Sequence, residues 1–157
     1  MSLETKLTLN ESTIEKLQTL IRANIDSYDG FREAAHQIDD PLVAELFREM
    51  AAERSTLAAE LQDYVTWNNK KAEDDGSYAA ALHRTWIDIR ALLSGGDAYA
   101  ILCEVERGED HIKHAYEDAL KATVGSAMND VLQHQYAQVK QGHDRVRDLR
   151  DAFKSNS

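Results

Sequence analysis

Glu53, Glu106, Glu109 and His143 are the side chains of this sequence whose types and spacing could do chemistry. Glu106 and Glu109 stand three residues apart, so on a helix they share one face. Carboxylates with an imidazole form a donor set for iron, manganese or zinc. Helical bundles that hold a carboxylate-bridged metal pair draw a Glu from each of two helices and a Glu-x-x-His from each of the other two. Such a centre activates dioxygen or peroxide, or serves metal storage.

The same positions also support a reading without metal. Glu53-Arg54-Ser55-Thr56 has no His in the slot where a Glu-x-x-His would end, and Gln138-Val139-Lys140-Gln141 has neither ligand. Arg54 falls on an inward stripe, where a cation repels a metal. An Arg54–Glu109 ion pair, with Asn24 and Gln138 filling out the hydrogen bonds, makes a polar layer at mid-bundle. Such a layer would fix helix register. The expectation is therefore a structural layer of Asn24, Arg54, Glu109 and Gln138, with no catalytic residue and no cofactor. The alternative is iron or manganese on Glu53, Glu106, Glu109 and His143. Whether the chain is an enzyme stays open.

Other constellations have plainer accounts. Glu33-Ala34-Ala35-His36 is a complete Glu-x-x-His, but it falls on the outer side of its helix. His111 and His114 lie among Glu109, Asp110, Glu117 and Asp118, as a charged exterior would. His83 and Asp88 match one piece of a hemerythrin-like pattern whose other histidines are missing. Gly108 and Gly142 are inward positions; glycine there suits a close helix approach or a bulky neighbour such as Tyr28 or Arg54. Trp67 and Trp86 read as covers of the core near the crossover. From Asp144 to Asp151, acids and Arg145, Arg147 and Arg150 alternate at helical spacing, a salt-bridged face. Cys103, in an Ile-Leu-Cys run, reads as an inert small residue. No glycine-rich phosphate loop, nucleophile elbow or Cys/His nucleophile pair occurs.

Long helices must position these groups. Apolar residues recur at alternating three and four spacing in Ile14, Leu17, Ile21, Tyr28, Phe31, Ala35 and Ile38, with Asn24 in the gap. The pattern predicts helices over about 10–38, 41–69, 97–122 and 126–153, with a shorter one over 77–93. Thr8 and Glu11 fit a capping box. Asp40-Pro41 fits an N-cap followed by proline at the first helical position, and Asp97 fits a third cap. The turns after residues 38 and 122 are short, so two antiparallel hairpins are joined by a long crossover that carries its own helix. That connectivity is ferritin-like, all-α and a single domain over 1–157.

Composition narrows the function classes. The chain has 157 residues and a formal net charge of −10. That balance argues against nucleic acid and anionic lipid as partners. One Cys points to a reducing compartment, and no apolar run approaches a membrane span, so a soluble cytoplasmic protein is expected. Apolar stripes on the crossover helix could make a homodimer.

The string Glu104-Val105-Glu106-Arg107-Gly108-Glu109-Asp110 and the later His143-Asp144-Arg145-Val146-Arg147-Asp148-Leu149-Arg150-Asp151 resemble a bacterial ferritin-like family of unknown function. So do Gly76-Ser77, Leu82-His83-Arg84 with Trp86, and Tyr28-Asp29-Gly30-Phe31. The resemblance spans nearly the whole chain. It implies a ferritin-like four-helix bundle and no particular activity, with a stress-related role within reach. Kinship with rubrerythrin and ferritin implies metal binding, against which the missing Glu-x-x-His pairs weigh.

Overall fold

The structure, a computed structural model, describes residues 4–75, 89 and 97–155. Within them stand four long α-helices: α1 (Glu11–Gln37), α2 (Pro41–Trp67), α3 (Ala98–Ala122) and α4 (Asn129–Ser155). The shorter helix expected over 77–93 lies outside the described residues, as do His83, Trp86 and Asp88. Ile89 is described, and it is buried in the common core.

Two of the helices, α2 and α3, begin for a local reason. Pro41 opens α2, and the Asp40 carboxylate accepts hydrogen bonds from the Leu42 and Val43 amides, as the sequence leads one to expect. Asp97 caps α3 through the Ala100 amide. The capping box expected of Thr8 and Glu11 does not form. Asn10 precedes the first turn of α1 without a side-chain cap, and Thr8 instead turns back to Thr5. A residue distant from the expected box, Glu4, does the work. Its carboxylate accepts from the Asn10 amide at 2.8 Å, the Thr13 hydroxyl at 2.7 Å, the Ala127 amide at 2.9 Å and the Ser126 hydroxyl. One carboxylate thus ties the start of α1 to the turn between α3 and α4. Glycine fits that turn at Gly125, whose φ is +80°.

Cross-helix contacts fix the directions. The start of α1 and the end of α2 meet where Asn68 binds Leu9 and Lys6. Glu4 and the Lys6–Asp130 ion pair place the α3–α4 turn at that same end. Both α2 and α3 therefore run toward this end, and α1 and α4 run away from it. The end of α2 and the start of α3 lie at opposite ends of a bundle ~40 Å long. This up, down, down, up order separates the fold from a plain up-down bundle. After α2 the chain turns back along the α1–α2 groove, where Gln18 binds Lys71 O and Glu73 N, and Gln62 binds Glu73 O.

The core is a stack of inward side chains. Leu17, Ile21 and Phe31 of α1 meet Phe47, Met50 and Leu61 of α2, Ile101, Val105 and Ile112 of α3, and Leu132, Val139 and Val146 of α4. Tyr28 and Ile38, expected inside, are half-buried at its margin. Among the described residues no helix is long and apolar enough to cross a membrane.

The Glu4 carboxyl is pushed up by burial but held below its ordinary value by the Ser126 hydroxyl and the other three donors. A carboxylate so depressed contributes stability above the ordinary glutamate range and loses it as pH falls. Glu4→Ala should lower the unfolding free energy at pH 7 by about 1–2 kcal/mol in urea titration, with the deficit shrinking on acidification.

Candidate functional site

Among the described residues Arg54 is the largest fully buried side chain, with no exposed surface. It comes from the middle of α2, on the stripe that continues Phe47 and Met50, so the helix has no choice but to aim it inward. Its Nη1 and Nη2 donate to Glu109 Oε1 and Oε2 of α3, each at 2.8 Å. Two parallel charge-assisted bonds are the strongest arrangement open to a guanidinium and a carboxylate. The Phe31 ring of α1 lies 5.9 Å from the guanidinium carbon. On the α4 side Gly142 makes room, because a Cβ there would stand 2.9 Å from Nη2 and 2.7 Å from Met50 Cε. All four helices thus shape the pocket of one cation. Burial works against the guanidinium charge, but Glu109 outweighs it and the group is held above its ordinary value.

Glu53 stands at the edge of this pocket. Its Oε1 is 3.7 Å from Arg54 Nε, beyond hydrogen-bond range, and neither atom has a hydrogen-bond partner among the described residues. Burial raises the Glu53 carboxyl above its ordinary value despite the pull of Arg54, with Glu109 adding to the rise.

A second polar layer lies two helical turns along α3 and α4, ~10 Å nearer the α3–α4 turn. Asn24 of α1 donates to the Leu20 carbonyl at 2.9 Å and to the Tyr116 hydroxyl at 2.8 Å. Tyr116 of α3 donates to Gln135 Oε1 of α4 at 2.6 Å. Gln135 Nε2 donates to Glu60 Oε1 at 2.6 Å and to the Leu57 carbonyl at 3.3 Å, both on α2. Burial pushes the Tyr116 phenol far up, so it stays a neutral donor.

The structure brings together some of the expected groups and separates others. Arg54 and Glu109 pair as their positions suggested. Asn24 is buried, but in the Tyr116 layer and not beside Glu109. Gln138 is half-buried; the interior amide is Gln135, one turn earlier on α4. Of the four candidate metal ligands, Glu53 and Glu109 both face Arg54. Glu106 pairs with Arg150 at the α3–α4 margin. His143 places Nε2 2.8 Å from Asp110 and Nδ1 3.4 Å from Asp144. Among the described residues no three His, Cys, Asp or Glu side chains gather as a ligand set. His36 is exposed, and His114 stands 3.9 Å from Glu117. Arg145 pairs with Glu49, and Arg147 pairs with Asp144 and Asp148. The second layer could have been found from the inward seam, on which Tyr116 and Gln135 are polar-ended residues at helical spacing.

A family model described as "Domain of unknown function (DUF2383)" matches residues 12–122, from the first turn of α1 to the last residue of α3. Among solved structures, the bacterioferritin-related protein from Bacteroides fragilis, described as a dodecameric thioferritin, resembles the chain with a TM-score of 0.72. The two share 16% identity over 94% of this chain and 90% of that one, a likeness of fold. No curated protein matches the sequence.

Arg54→Met should destabilise the protein by about 3–5 kcal/mol, because it leaves the Glu109 carboxylate buried and unpaired. The double variant Arg54→Met/Glu109→Leu should recover most of that loss, giving a large coupling energy in a double-mutant cycle. Glu53 has the opposite sign to Glu4: a carboxyl raised by folding detracts from stability above the ordinary glutamate range and not below it. Glu53→Gln should therefore raise the denaturation midpoint at pH 7, with the gain disappearing in acid.

Proposed function

This chain belongs to the family described as "Domain of unknown function (DUF2383)", and from that starting point we propose that it is a ferritin-like bundle with an internal ion pair where metal-bearing relatives of the fold hold metal. Its work is then that of a structural, self-associating unit and not of a redox centre. The observation that carries this reading is the fully buried Arg54, bidentate on Glu109.

The interior donor set does not fit a carboxylate-bridged metal pair. Such a pair needs several anionic and imidazole donors converging on one point. Here Glu109 has both oxygens occupied by a guanidinium that keeps its charge at any physiological pH. A divalent ion would have to displace that cation into an apolar interior, at a cost of several kcal/mol. Glu106 and His143 are engaged with Arg150 and Asp110. Moving either inward would break an existing ion pair at the α3–α4 margin. Self-association is supported by the fold likeness to a protein described as dodecameric.

Protein produced in iron- and manganese-supplemented medium should carry far less than one metal ion per chain by elemental analysis. Added Fe(II) or Mn(II) should leave the unfolding midpoint unchanged, since a ligand that binds only the native state would raise it. One or two ions per chain, lost in Glu109→Ala together with a metal-dependent midpoint shift, would overturn the proposal.

A further inference from the structure

We draw no further inference here: the strongest candidate, the apolar cavity on the outer groove of α1 and α2 lined by Ala35, Ala51 and Ala52 with Arg32, His36 and Arg48, carries none, because Arg48 is already paired with Glu45, Arg32 lies over the Tyr28 ring, and nothing in the structure shows what covers it.

Discussion

The Arg54–Glu109 pair is the constraint around which this bundle is arranged. A guanidinium deprived of water needs its hydrogen bonds supplied from fixed directions. Glu109 supplies two of them, and it can do so only if α2 and α3 keep one relative height. A shift of either helix by one residue would turn the carboxylate away by about 100°, leaving two buried charges without partners. Phe31 and Gly142 complete the enclosure from α1 and α4, so the vertical register of all four helices is coupled to one side chain. Apolar layers above and below tolerate sliding far better, because leucine and isoleucine contacts have little directional preference. The pair therefore contributes uniqueness of packing more than net stability.

The Asn24–Tyr116–Gln135–Glu60 chain extends the same logic to a second level. Each link crosses from one helix to another, and the run visits α1, α3, α4 and α2 in turn. Two polar layers separated by apolar residues resist both sliding and rotation. At the end of the bundle Glu4 adds a third tie, joining α1 to the α3–α4 turn. The lengthwise order of these ties also gives the bundle a direction. α2 and α3 run the same way, and the ends they define differ in their exposed side chains.

Much of this was legible in the sequence, for reasons that local physics makes clear. Asp40-Pro41 is a helix start whatever surrounds it, since the carboxylate reaches only the next two amides and proline lacks the donor that would go unpaired. The three-four spacing of Ile14, Leu17 and Ile21 identifies an inward stripe, and Arg54 falls on the equivalent stripe of α2. Counting residues from the two tight turns then brings Arg54 and Glu109 to one height. The failures concern choices among neighbours on a helix. Gln135 falls on the inward seam with Leu132 and Val139, whereas Gln138 matches Glu109 only by its distance from the α3–α4 turn; height along a helix does not fix the direction a side chain takes, and Gln138 lies off the seam, half-buried. Thr8 and Glu11 satisfy the local pattern of a capping box, yet Glu4 prevails because it reaches donors on α1 and on the α3–α4 turn at once. A contact between residues 4 and 127 leaves no trace in local spacing. Crossover residues 77–93 offered the same helical periodicity, and their expected helix lies outside the described residues.

A guanidinium at the waist of a ferritin-like bundle also changes what controls the state of the fold. A metal pair can be lost to chelators, exchanged between elements and cycled between oxidation states, and the bundle around it must tolerate each condition. Arg54 is covalently part of the chain, has no redox chemistry and keeps its charge across the physiological pH range. Its partner is equally permanent. The ion pair itself therefore offers no redox or chelation chemistry. Glu106, Asp110, His143 and Arg150, which lie near the level of a would-be centre, face the α3–α4 margin and pair there.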